Sequence, residues 1–413
     1  MDVMATLKLP TGICAALMIG LAGCQGTRQV GEERVYRATH GRGDIVVGAG
    51  WPWQTRATLH YREGLDLAID EVNASGGADG RRLRIMREDD RETVDEGRLV
   101  AQRFATNVDI VGVIGHLHSY VTNPAAAIYD TSGLVLISPA STDPELTSHG
   151  YKRVFRTIFT DRDVGDTMAR FAIARGHRRV AIYYIRSAYG RGLANAFEET
   201  ASQGGVMVVD RQSYDPNESG NVQVVGQVLA DWKARNLDAI FIAGEAAQSA
   251  LFIAEARAQG LSIPVLGGDA VGTPELFGRG ATPVEGTIVA SAFHPNEPRP
   301  EVRRFVAAFE DRYHTKPDAA AALAYDAVRL LARAISHAHS AAPDQVAAAL
   351  HAADGWPGVT GTFTFTERGD PIGRTIVTMI ANHGVFEYFA SSSTRPSPAS
   401  DTLAQRVPSS SRD

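Results

Sequence analysis

The feature that most constrains this chain is an alternation of short β-rich runs with helical patterns, met once in each half. In the first half a buried apolar run at 45–48 precedes a segment, 62–73, that places Leu65, Ile69 and Val72 on one helical face and stops at Ser75-Gly76-Gly77. A strand at 82–87, a helix at 92–106 and a strand at 109–114 follow. The same order returns as strand 180–184, helix 192–202 ending at Gly204-Gly205, strand 206–209, helix 222–235 and strand 239–243. Strands that alternate with helices form parallel sheets, because parallel neighbours are joined only through a crossover that covers a face. The repeated pattern predicts an α/β protein of two doubly wound, Rossmann-like lobes. Short strands at 134–138, 264–267 and 288–293 extend them, as do helices at 301–313, 319–336 and 344–352 and closing strands at 362–365 and 375–380.

Doubly wound sheets bind ligands beyond the carboxyl ends of their strands. In the first half those positions hold Trp51, Trp53, Asp89, Asp90, the run from His116 to Tyr120, and the loop Pro139 to Thr142. In the second half they hold Tyr189, Asp215, Glu245 and Asp269. Hydroxyls, carboxylates and rings at those positions predict a polar cleft with aromatic walls.

Signatures of chemistry are mostly lacking. Gly48-Ala49-Gly50 follows a strand, but Trp53 stands where a third dinucleotide-binding glycine is due, and its indole obstructs a pyrophosphate. No Walker-type phosphate loop and no Gly-x-Ser-x-Gly elbow occurs. The pairs His116/His118 and His337/His339 lack the carboxylate or cysteine company of a zinc site. Asp89-Asp90 reads as loop solvation or helix capping. The expectation is a protein that is not an enzyme and holds no cofactor or metal. A net charge of −6 without any basic run argues against a nucleic-acid partner.

The start of the chain bears on the compartment. Residues 9–23 are mostly apolar, follow Lys8 and end at Cys24. That run is shorter than the roughly 20 residues needed to span a bilayer, so 1–23 reads as an export signal. Leu21-Ala22-Gly23-Cys24 resembles a bacterial lipobox, with Cys24 carrying the lipid that anchors the protein to a membrane surface. Gln25, in place of an aspartate, favours the outer membrane. The other cysteine, Cys14, lies inside the signal, which leaves the mature chain without a disulfide. Residues 24–43 read as a polar, aperiodic tether, and 391–413, rich in Ser, Pro and Arg, as a disordered tail.

Four loops resemble those of the periplasmic leucine/isoleucine/valine-binding proteins of ABC importers. They are Ile114-Gly115-His116-Leu117-His118-Ser119, Ser138-Pro139-Ala140-Ser141-Thr142-Asp143-Pro144-Glu145-Leu146, Ala188-Tyr189-Gly190-Arg191-Gly192 and Gly267-Gly268-Asp269-Ala270. The resemblance runs from about 45 to 380 and implies the type I periplasmic binding protein fold. Residues 44–159 with 293–364 would form one lobe and 160–292 with 365–390 the other, joined by three hinge crossings near 157–160, 292–294 and 364–367. It also implies an amino-acid site. Ser119 and Thr142 would meet the α-carboxylate; the Ala140 carbonyl, the Thr142 hydroxyl and Asp269 would meet the α-ammonium. Ser141 sits in that same loop, and Tyr189 would reach in from the second lobe. Ser119 opens a helix, where free N–H groups and the helix dipole favour an anion.

The chain also departs from that family. The cysteine pair common there is lost, its places falling near Arg91 and at His118. Glu245 stands where an aromatic ring tends to be, either to attract a cationic side chain or to face water. Trp51-Pro52-Trp53-Gln54-Thr55-Arg56 replaces a Ser-Gly-rich loop. The anchor for an amino acid is retained, and the side-chain selector is altered. The expected function is that of an extracytoplasmic solute-binding lipoprotein that captures a small ligand, an amino acid or related zwitterion, by hinge closure and delivers it to membrane transporter subunits. One alternative is a carrier of a bulkier, lipid-like ligand, with Trp51, Trp53 and Tyr120 as walls and a non-ABC transport system as partner. Another is a sensor or assembly lipoprotein that uses the fold for protein contacts.

Overall fold

The computed structural model describes residues 29–215 and 222–393. The expected export signal, Cys24 and the chain beyond 393 lie outside those residues. Residues 29–40 form a helix, α1, where an aperiodic tether was expected. Its anchor is an arginine: Arg34 is 1% exposed and donates to the carbonyls of Ile110 (2.8 Å), Ser132 (2.6 Å) and Ala105 (2.6 Å). Burial lowers its pKa to about 10, so it stays charged at neutral pH.

The first lobe then builds a five-stranded parallel sheet. Strand β1 (Ile45–Trp51) leads to α2 (Tyr61–Ala74), β2 (Leu83–Asp89), α3 (Val94–Thr106), β3 (Ile110–Gly115), α4 (Ser119–Thr131), β4 (Val135–Ser138) and β5 (Val154–Arg156). The order across the sheet is β2-β1-β3-β4-β5. Every residue of β1 and β3 is buried, as strands covered on both faces must be. In α2 the expected face, Leu65, Ile69 and Val72, is buried. The turn after it needs glycine: Gly77 has φ +82°, and a Cβ there would lie 2.1 Å from the Arg81 carbonyl oxygen.

The chain crosses at 157–160 into the second lobe. There α5 (Asp161–Ala174), β6 (Arg179–Ile185), α6 (Ala188–Gln203), β7 (Met207–Tyr214), α7 (Val222–Lys233), β8 (Ala239–Ala243), α8 (Ala246–Ala258), β9 (Val265–Gly267), α9 (Ala281–Val284) and β10 (Ile288–Ser291) follow. It then returns to the first lobe for α10 (Pro300–Tyr313), α11 (Ala319–Ala338), α12 (Pro343–His351) and a small hairpin, β11 (Trp356–Gly358) and β12 (Gly361–Phe363). A last crossing delivers β13 (Thr375–Asn382) and β14 (Val385–Ser393) to the second sheet, whose order is β14-β13-β10-β9-β8-β6-β7. The expected tail from 391 is corrected here, since β14 runs on to Ser393 and pairs it with Thr375.

Two contacts set the shape of the first lobe. Helices α2 and α11 approach so closely that a Cβ on Gly64 would sit 2.1 Å from the Ala321 carbonyl oxygen. Beside them, Asp326 of α11 accepts from the Val359 N–H (2.8 Å), the Thr360 N–H (2.7 Å) and the Thr360 hydroxyl (2.6 Å), just ahead of the last crossing.

Candidate ligand-binding cleft

The carboxyl ends of β1, β3 and β4 face those of β6, β8 and β9 across a cavity of about 150 Å³, lined from both lobes and from the start of α11. On the first-lobe side, Ser119 opens α4 and lines the cavity with Ala140 and Thr142. A helix's first N–H groups have no intrahelical partner, so this end favours an anion. The Ser119 hydroxyl is steadied by the Asp143 N–H at 3.4 Å.

The second lobe contributes carboxylate. Asp269 sits in a short 3₁₀ turn after β9 and lines the cavity. Its Oδ1 accepts from the Tyr189 hydroxyl at 3.0 Å, and that hydroxyl oxygen accepts in turn from the Ala270 N–H at 3.3 Å. Burial pushes the Asp269 carboxyl up to about 6, against the pull of Tyr189 and nearby N–H groups. Burial and the neighbouring Asp269 hold Tyr189 protonated, so its hydroxyl acts as the donor.

A second acid stands behind this one. Asp161 begins α5 on the first crossing, is 1% exposed, and neither of its carboxylate oxygens has a hydrogen-bond partner. Its N–H donates to the Thr142 carbonyl at 2.8 Å, which ties the 140–142 loop to the hinge. The Thr142 side chain partly offsets the cost of charging Asp161. Burial, then Asp269 and Asp143, raise the Asp161 pKa well above the usual carboxylate range. A folded pKa above the unfolded one lowers stability as pH rises through that window. Asp161→Asn removes this titration, so the ligand-free variant is expected to gain about 1–3 kcal/mol near neutral pH, with the gain vanishing near pH 4. Urea unfolding at the two pH values checks it; an equal or lower midpoint at neutral pH contradicts it.

The far end of the cavity is apolar. Trp51 stacks on Tyr61 with ring centroids 3.6 Å apart, and Leu59, Leu117 and Leu323 complete the wall. Arg56 closes the mouth. Its Nη2 meets Glu245 at 2.7 Å and its Nη1 meets Glu275 at 2.9 Å, both on the second lobe, while its Nε meets Glu92 on the first.

Of the residues singled out from sequence, Trp51, Ser119, Tyr120, Ala140, Thr142, Tyr189, Glu245 and Asp269 line this one cavity. Two lie elsewhere. The Trp53 N–H bonds back to the Trp51 carbonyl (2.9 Å), a turn that swings the second indole outward, where Nε1 donates to the Glu88 carbonyl (3.0 Å) and Arg62 lies over the ring (5.3 Å). Ser141 is fully buried, its hydroxyl 2.5 Å from that of Thr122. Glu245, expected either to attract a cationic side chain or to face water, is ion-paired with Arg56. Sequence reading placed Arg56 at the mouth but missed its partner Glu275, and it missed Asp161 and the apolar wall from Leu59, Tyr61 and Leu323. In the structure, a reciprocal capping box between Thr160 and Asp163 opens α5, a signal that could have located this helix. His116, considered for zinc, is buried between Asp90 (2.7 Å) and Tyr129 (3.0 Å).

This architecture matches known proteins along most of its length. A family model described as periplasmic binding protein matches residues 57–384. The Leu/Ile/Val/Thr-binding protein of Salmonella typhimurium is 30% identical over 328 residues, covering 79% of this chain and 86% of that protein. The Leu/Ile/Val-binding protein homolog 1 of Brucella suis is 29% identical over 334 residues, covering 79% and 88%. Among solved structures, the ABC transporter substrate-binding protein of Desulfitobacterium hafniense in complex with Leu is 39% identical with a TM-score of 0.76, covering 84% of this chain and all of that one. Two parallel-sheet lobes, a cleft between their strand ends and a sequence match over the same span converge on one conclusion: the chain belongs to the periplasmic binding protein family.

Proposed function

We propose that the protein captures an α-amino acid with a compact apolar side chain between its lobes, outside the cytoplasm, and hands it to membrane transporter subunits. One observation carries the reading: Asp269 lines the polar end of the cavity, the buried Asp161 lies near enough to feel its charge, and neither has an ion-pair partner among the described residues. The nearby Arg156 is committed to Asp370 (2.7 Å), the Ser141 carbonyl (3.1 Å) and Thr147 (3.0 Å). A bound ammonium supplies the missing positive charge, and the α4 N-terminus with Ser119 supplies a place for the carboxylate. The Trp51, Leu59 and Leu323 wall then receives an aliphatic side chain. Relatives named for binding leucine, isoleucine and valine support the same reading.

A lipid-like cargo is disfavoured by a cavity of about 150 Å³ with a charged mouth. On this reading Cys24 carries the lipid anchor, and only residues 25–28 separate it from α1. Thermal-shift measurements on protein lacking Cys24, across the twenty amino acids, test the assignment. Leucine, isoleucine or valine at about 1,000 times Kd stabilises the fold by about 4 kcal/mol. Absence of a shift with every amino acid contradicts it.

A further inference from the structure

We propose that Arg56 is the specificity residue of this cleft: its guanidinium fills, from within the chain, a cage of three carboxylates that otherwise receives a cationic ligand side chain. The proposal rests on the reading of the cleft as an amino-acid site and adds what limits the side chain. Three nitrogens of Arg56 are met by three different acids, Glu92, Glu245 (2.7 Å) and Glu275 (2.9 Å). A guanidinium presents five N–H donors in a planar fork, so three acids can share it at once. The four side chains are mostly sequestered, between 17% and 24% exposed. Arg56, Glu245 and Glu275 line the same cavity as Asp269.

The cage does not depend on Arg56 for its framework. Glu245 stands just before α8, and its N–H donates to the Tyr214 hydroxyl at 3.1 Å. Glu275 lies in the Pro274–Arg279 3₁₀ turn and accepts from the Thr58 hydroxyl at 3.2 Å. The Glu92 carbonyl accepts from the Tyr120 hydroxyl at 3.1 Å, and its carboxylate lies 3.3 Å from His118. Three acids around one guanidinium leave formal negative charge at the mouth, with His118 the other basic group, 3.8 Å from Glu245. While Arg56 is seated, a lysine- or arginine-like side chain meets a filled cage and a competing cation. With Arg56 gone, Glu245 and Glu275 line the cavity without their guanidinium partner. Arg56 also ties the lobes together, so its loss weakens the closed form for neutral ligands.

The test is chemical rescue, which needs no knowledge of the natural ligand. In Arg56→Ala, methylguanidinium at about 20 mM is expected to raise Tm by several degrees while leaving the wild type unmoved, and L-arginine is expected to bind at least about tenfold tighter than to the wild type. Adding Glu245→Gln to Arg56→Ala is expected to cancel the rescue. If Arg56→Ala does not fold, Arg56→Met, which keeps the apolar stem, is read in the same way. Methylguanidinium that stabilises neither protein, or both alike, overturns the proposal whatever leucine does. Leucine binding is scored separately: its absence in the wild type overturns the amino-acid reading and leaves the rescue result to judge the cage.

Discussion

Asp269→Asn is expected to weaken leucine binding by about 100-fold or more near neutral pH while leaving the fold intact. Truncating one partner of a buried charged pair removes about 2–5 kcal/mol of binding energy, and about 2.7 kcal/mol corresponds to 100-fold. The effect is large here because Asp269 lies in the cavity wall, is oriented by Tyr189, and has no cation partner among the described residues. The empty variant should be no less stable than the wild type, since it removes a buried charge that only a ligand neutralises. The pH dependence has a definite sign. Asp269 titrates at about 6 in the empty protein, so above that pH a carboxylate awaits the ammonium, and below it the ligand must displace a proton. Affinity therefore falls as pH drops through 6, by up to about tenfold per unit, and this step is lost in Asp269→Asn. Calorimetric titrations of both proteins between about pH 5 and 8 check it. A variant with wild-type affinity, or a wild type whose affinity rises on acidification, contradicts the assignment.

Asp326→Ala is expected to act in the opposite way, costing about 3–5 kcal/mol of stability while sparing affinity in the molecules that remain folded. Asp326 is 2% exposed and gathers three donors from Val359 and Thr360. Arg374, also 2% exposed, donates to the Thr360 hydroxyl and to the Thr362 carbonyl (3.1 Å), and its guanidinium lies 4.5 Å over the Phe363 ring. Burial lowers the Arg374 pKa to about 10, so it remains a cation. Removing Asp326 withdraws electrostatic support from Arg374 and leaves two buried N–H groups without an acceptor. Urea unfolding should show the loss as a lower midpoint. A midpoint unchanged from the wild type means that this network does not hold the last crossing.

Periodicity made most of the first lobe legible, because its helices bury one stripe: Leu65, Ile69 and Val72 of α2 were readable for that reason. Helix α8 was not, since Ser249 to Ile253 are buried in succession and leave no amphipathic signal. Helix α1 escaped for the reverse reason. Arg34 and Ala38 are its buried residues, and a helix seated by an arginine has the composition of a tether. In the cleft, most residues taken from local loop motifs line the cavity, Ser141 excepted, whereas those defined by distant partners were not legible. Arg56 lies 189 residues from Glu245 and 219 from Glu275, so no local pattern links them. Asp161 was hidden differently: its significance is a missing partner, which exists only once the fold has buried it. Trp53 misled because strand alternation puts it beside Trp51, and the turn after β1 breaks that alternation.

The central claim is that the cleft reads both charged ends of one small amino acid. Calorimetric titration of the wild-type protein with L-leucine, with its deaminated analogue 4-methylpentanoate and with its decarboxylated analogue 3-methylbutylamine tests it most directly. The account predicts saturable one-to-one binding of leucine, with each analogue weaker by at least about 100-fold. An analogue that binds as tightly as leucine, or leucine that gives no binding, contradicts it.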